Sequence, residues 1–114
     1  MANYHEPVEV LDEKTKNITR AINSLREELE AVDWYNQRVD ASDDEELKAI
    51  MAHNRDEEIE HACMTLEWLR RNMDCWDEEL KTYLFTDGPI TELEEAEGEE
   101  SSEGDSSLNI GNLK

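Results

Sequence analysis

Large apolar residues fall at Leu11, Ile18, Ile22, Leu25, Leu29, Val32 and Val39. Their gaps of three, four and seven place all of them on one side of a helix, predicted from about Pro7 to Asp40. Pro7 suits the first turn, where a missing N–H costs nothing. Asp40-Ala41-Ser42 breaks the pattern, and Ser42 with Glu45 reads as a capping box that opens a second helix. Its apolar positions are Leu47, Ile50, Met51, Ala62, Leu66 and Leu69, and Asn72 is a natural stop. Asp74 is placed to cap a short third helix reaching Leu84, before Asp87-Gly88-Pro89 turns the chain outward. The expected fold is all-α: an antiparallel two-helix hairpin plus a short third helix.

Helices of about 30 residues are roughly 45 Å long. A lone hairpin of that length leaves most of its apolar stripe in water, and no disulfide framework compensates. Two hairpins together make a four-helix bundle with an ordinary core, so core size alone points to a dimer. Cys63 and Cys75 lie twelve residues apart with no Cys-x-x-Cys. Both read as free thiols of a reducing cytosol, Cys63 as a small core residue.

Charge narrows the partners. Lys and Arg total 11 against 31 Asp and Glu, a formal charge of −20. Such a surface repels phosphate backbones and anionic lipid and concentrates cations, which argues against nucleic acid and membranes. No apolar run nears the roughly 20 residues that span a bilayer, and Met-Ala-Asn-Tyr-His-Glu-Pro does not read as a signal peptide. Residues 1–86 carry 22 acids and ten bases, whereas residues 87–114 carry nine acids and one lysine. Between Thr91 and Ser107 the only large apolar residue is Leu93, too little to offset chain ordering. The organisation expected is a helical domain at 1–90, a disordered acidic linker at 91–107 and a terminal peptide at 108–114.

The apolar stripe of the second helix should continue through 54, 58, 61 and 65, but those positions hold Asn54, Glu58, His61 and Thr65. Glu58 and His61 form Glu-x-x-His, whose members project from one face of a helix. Four-helix di-iron proteins use two such pairs plus a Glu from each of the other two helices. This chain has one pair, so a two-metal site requires two chains. Glu28, three residues after Leu25 and four before Val32, borders the stripe of the first helix. Burying carboxylates without a cation is costly. Two crossing hairpins would gather two Glu28, two Glu58 and two His61, and four carboxylates balance two divalent ions. Glu oxygens with a His nitrogen suit Fe²⁺. Chance occurrence in so acidic a helix is the competing reading on spacing alone.

The run Glu27-Glu28-Leu29-Glu30-Ala31-Val32-Asp33-Trp34-Tyr35-Asn36-Gln37-Arg38-Val39-Asp40-Ala41 closely resembles the encapsulated ferritins. So do Ala52-His53-Asn54-Arg55-Asp56-Glu57-Glu58-Ile59-Glu60-His61-Ala62, Thr65-Leu66-Glu67-Trp68-Leu69-Arg70-Arg71 and Tyr83-Leu84-Phe85-Thr86. The likeness covers roughly residues 5–91. It implies hairpin dimers that rebuild a ferritin-like bundle and assemble as a ring, a decamer. It also implies a cytoplasmic ferroxidase that turns Fe²⁺ into Fe³⁺ with dioxygen inside a nanocompartment, whose shell protein is encapsulin.

Carried onto this sequence, the family's ferroxidase ligands match Glu28, Glu58 and His61, and Tyr35 matches a tyrosine beside the metals. Interface packing is the alternative for Tyr35. Glu27, Glu30 and Trp34 match a position where iron is admitted, and His53, Glu57 and Glu60 resemble a weaker peripheral metal position. Each trio has i, i+3 or i+4, i+7 spacing, and a solvated acidic face explains either equally well. Ca²⁺, Zn²⁺ or Mn²⁺ are other expected occupants of these positions. Leu108, Ile110 and Leu113, set among small and polar residues, resemble the peptides that dock cargo on the encapsulin wall; the alternative is a frayed terminus. From a different class comes a rival function: a non-enzymatic acidic helical protein that buffers metal or serves as a shell-bound adaptor.

Overall fold

The structure, a computed structural model, describes residues 4–94. Residues 95–107 of the linker expected at 91–107, and the peptide at 108–114, lie outside the described residues. Every regular element among the described residues is helical, so the all-α expectation holds: a 3-10 turn at Val8–Val10, α1 at Glu13–Ala41, α2 at Glu45–Asn72 and α3 at Trp76–Tyr83. Two compact units divide the chain, one ending at Asn72 and the other beginning at Met73.

In the first unit, α1 and α2 are 29 and 28 residues long and pack side by side. Their direction follows from two cross-helix contacts. Asn36 meets Arg55 at 3.0 Å and Glu28 meets Thr65 at 3.4 Å. As the position on α1 falls, its partner on α2 rises, so the helices run antiparallel. Only Ser42-Asp43-Asp44 joins them, which leaves no room for any other arrangement.

The helix starts differ from expectation. Pro7 opens the 3-10 turn rather than the long helix, and the chain is extended at Leu11 and Asp12. Asp12 caps α1 by accepting Thr15 N–H at 2.8 Å, a bond that holds its carboxyl below the usual range. Ser42 and Glu45 do not form the expected capping box. Ser42 ends α1, donating its N–H to Arg38 O, while Asp44 caps α2 through Leu47 N–H at 2.9 Å. Asn72 does end α2, its amide folding back on Trp68 O at 2.8 Å.

Burial within this unit is sparse. Ala62 and Leu69 are buried, but no residue of the α1 stripe is, and Leu29, Leu47, Ile50, Ile59 and Met64 are exposed. A hairpin cannot enclose its own apolar faces, as its geometry requires. Cys63 is an exposed free thiol rather than a core residue. It follows Ala62, and one residue turns the helix by about 100°.

In the second unit, Cys75 rather than Asp74 occupies the position before α3, with a left-handed backbone (φ 80°). Its carbonyl accepts Glu79 N–H, and Lys81 pairs with Asp77 at 3.0 Å. Gly88 takes the positive φ (91°) that turns the chain before Pro89. Residues 90–94 are helical, so regular structure runs from the expected domain into the first residues of the stretch expected as linker.

Candidate metal centre

Glu28 projects from the middle of α1 between Leu25 and Val32 and is half-buried. Its Oε1 is enclosed without a hydrogen-bond partner, the single buried side-chain polar atom of that kind among the described residues. Its Oε2 lies 3.4 Å from Thr65 Oγ1. That hydroxyl is closer to the carbonyl of His61, at 3.1 Å, and has one proton to give. The carboxylate is therefore short of donors while fixed against α2. An enclosed acceptor without a donor is costly in a neutral site and suits a cation.

On α2, Glu58 and His61 face each other across one turn, with Oε1 3.6 Å from Nδ1. The Glu58 side chain is 27% exposed and that of His61 45%, so the histidine is wetter than its stripe position implied. Thr65, one turn further on, touches both the carbonyl of His61 and Glu28. This threonine was marked in the sequence only as a polar break. Its joining role depends on helix register, which spacing along one helix does not reveal.

The other candidates complete no metal position with these residues, although Glu57 Oε1 lies 4.0 Å from Nε2 of His61. No group of three or more His, Cys, Asp or Glu side chains converges on a metal position among the described residues of one chain. Glu27 and Glu30 are exposed, and Trp34 lies beside a surface recess with Gln37, Arg38 and Ala41. The ring of Tyr35 is half-buried and carries the Arg38 guanidinium 5.3 Å from its centre, a cation–π contact. His53 Nε2 lies 4.0 Å from Glu57 Oε2, and Glu60 is exposed.

Elsewhere on α2, Glu67 is fully engaged. Arg70 and Arg71 hydrogen-bond it at 2.7–2.8 Å and pull its pKa down from 4.5 to about 2. This carboxylate has cations of its own and belongs to the helix surface.

Fold and site together define an all-helical hairpin in which a half-buried glutamate of α1 lies against the helix that bears Glu58 and His61. The chain belongs to the EncFtn-like family, which it matches over residues 3–87. It is 64% identical to an "Encapsulated ferritin-like protein" of Rhodospirillum rubrum, over 96% of this chain and 86% of that one. It is 36% identical to the "Encapsulin nanocompartment cargo protein EncC" of Myxococcus xanthus, over 69% of this chain and 65% of that one. A solved structure, protein ne0167 from Nitrosomonas europaea, is 63% identical and superposes with a TM-score of 0.75, covering 78% of this chain and 98% of the other.

Proposed function

We propose that two copies of this chain pair through their α1–α2 faces and act as a ferroxidase on Fe²⁺. The observation that carries this reading is the enclosed, unpartnered Oε1 of Glu28, held by Thr65 against the helix that bears Glu58 and His61. One chain offers two donors on α2 and a third on α1, without a complete set. The exposed apolar residues of the hairpin give a second chain a surface to cover. Glu28, Glu58 and His61 from each chain then supply four carboxylates and two imidazoles, a set that neutralises two divalent irons. The donor types, hard oxygen with borderline nitrogen, fit iron.

In this reading the acidic surface draws Fe²⁺ toward the dimer, past Glu27, Glu30 and Trp34. The ligands hold two ferrous ions close together, and each gives one electron to dioxygen. Glu28 and Glu58 stabilise the added positive charge of the ferric products. Tyr35 packs beside the centre, and Arg38 on its ring keeps the phenol oriented. The relatives' names, together with Leu108, Ile110 and Leu113, support a further assignment. The protein is cargo of an encapsulin nanocompartment, where dimers arranged as a ring, a decamer, release Fe³⁺ for mineralisation. No helix among the described residues is long and apolar enough to cross a membrane.

Aerobic addition of Fe²⁺, followed by ferric absorbance, tests the activity. Wild type is expected to oxidise iron faster than buffer, and Glu58→Ala and His61→Ala to fall to the buffer rate. Equal rates for all three would leave a metal buffer or adaptor as the better description. Deleting residues 107–114 is expected to abolish co-purification with the shell protein and to spare the oxidation rate. Capture of the truncated chain would remove the targeting role.

A further inference from the structure

Two side-chain contacts tie α1 to α2 on either side of the candidate centre. Arg55 Nη1 donates to Asn36 Oδ1 at 3.0 Å, and Thr65 Oγ1 lies 3.4 Å from Glu28 Oε2. On α2 the bridging residues 55 and 65 enclose Glu58 and His61, and on α1 the bridged residues 28 and 36 enclose Tyr35. Because the helices run antiparallel, stepping inward from either bridge puts Glu58 level with residues 33–35 of α1 and His61 level with 30–32. The candidate ligands of α2 therefore stand between the levels of Glu28 and Tyr35.

The two bridges differ in strength. The Thr65 hydroxyl has one proton, and the carbonyl of His61 is nearer to it, at 3.1 Å, than Glu28 is. Arg55 is a charged donor whose plane is held twice. Its Nε–H goes to Asp56 Oδ1 at 3.1 Å while Nη1–H crosses to Asn36 on α1. The Arg55 side chain is 27% exposed, as is that of Glu58 one turn on. Packing adds little between the loop and this level. No residue of α1, and none of α2 before Ala62, is buried, and the start of α2 lies roughly 20 Å from Glu58 along the helix.

We infer that Arg55 is a positioning residue for the metal centre: through Asn36 it fixes how far α2 stands along α1, and so holds Glu58 and His61 at their level between Glu28 and Tyr35. This rests on the reading of Glu28, Glu58 and His61 as ligands. A slip of one residue moves a helix by about 1.5 Å, whereas a metal constellation tolerates about 0.5 Å. A bond too exposed to add much overall stability therefore still decides whether the ligands converge.

The experiment uses the full chain, with Co²⁺ as an oxidation-insensitive probe. Co²⁺ titration reads affinity at the centre, and Overhauser contacts between α1 and α2 in metal-free protein read the register. Thermal melts by circular dichroism follow the stability of each variant. Asn36→Leu and Arg55→Met are each expected to weaken Co²⁺ about tenfold and to shift the cross-helix contacts. The double variant is expected to lose no more than either single one, because both remove the same bond. Asn36→Asp keeps an acceptor for Arg55 and is expected to bind Co²⁺ no more weakly than wild type. Asp12→Ala, which removes the cap of α1, is expected to lower the thermal midpoint without changing Co²⁺ affinity. Wild-type affinity in Asn36→Leu, additive losses in the double variant, weakened binding in Asn36→Asp, or an equal loss in Asp12→Ala would each overturn the proposal. Unchanged cross-helix contacts in Asn36→Leu would overturn it whether or not the chain binds metal. Failure of the ferroxidase reading is seen separately, as a wild type with its register intact that oxidises Fe²⁺ no faster than buffer.

Discussion

Glu67 is gripped by Arg70 on both oxygens at 2.8 Å and by Arg71 at 2.7 Å, whereas Glu28 has a single 3.4 Å contact and an enclosed oxygen with no donor. The two residues have the same chemistry and belong to the same hairpin. Glu67 was given its cations by the helix that bears it, three and four residues on. Glu28 has at the same spacings Ala31 and Val32 ahead, and Leu25 and Ser24 behind. A carboxylate neutralised within its own helix has nothing left to bind. Glu28, half-buried, has no cation at those spacings and keeps one oxygen without a donor. The contrast separates a structural glutamate from a candidate ligand without reference to any relative.

Replacing each residue in turn tests that separation, and the largest effect is on activity and metal response. Glu28→Leu is expected to lower iron oxidation to the buffer rate, and Glu67→Gln to leave it near wild type. In metal-free protein the order reverses. Glu28→Leu is expected to raise stability by about 1 kcal/mol, because it removes an acceptor with no partner. Glu67→Gln should lower stability slightly. Urea denaturation at one fixed protein concentration measures both, and Co²⁺ should raise the midpoint of wild type but not of Glu28→Leu. Loss of stability in metal-free Glu28→Leu would mean that its carboxylate is satisfied after all, and the comparison would fail.

Much of this was legible in the sequence, and the exceptions have a common cause. The stripe at Ile18, Ile22 and Leu25 marked the first long helix because helical period is a property of one segment, although Leu11 at its start proved extended. Glu58–His61 was legible for the same reason, being one turn apart. The caps were less so. Ser42, Asp43 and Asp44 are all competent N-caps, and Ser42 was spent on ending α1, which left Asp44 to begin α2. Cys75 was missed because a left-handed cysteine has no pattern along the chain. Thr65 was missed because its role exists only once α1 lies against α2 in a given register. Local spacing thus picked out Glu58 and His61, the candidate pair on one helix, and the structure supplied the Thr65 contact that joins that helix to Glu28 on the other.

The smallest expected effect sharpens the same comparison through pH. Hydrogen bonds from Arg70 and Arg71 lower the pKa of Glu67 from 4.5 to about 2 in the folded chain. A value depressed by folding contributes stability that is complete above about 4.5, shrinks as pH falls, and is gone near 2, where both states bind the proton. Glu67→Gln cannot titrate. The difference in thermal midpoint between wild type and Glu67→Gln should therefore be widest at neutral pH and close between pH 4.5 and 2. Solvent and salt screen so exposed a pair, so the gap is small and shrinks further in added salt. Melts followed by circular dichroism at matched ionic strength and protein concentration measure it. A gap that stays constant down to pH 2 would show that the arginines do not hold this carboxylate ionised, and Glu67 would lose its standing as the satisfied counterpart of Glu28.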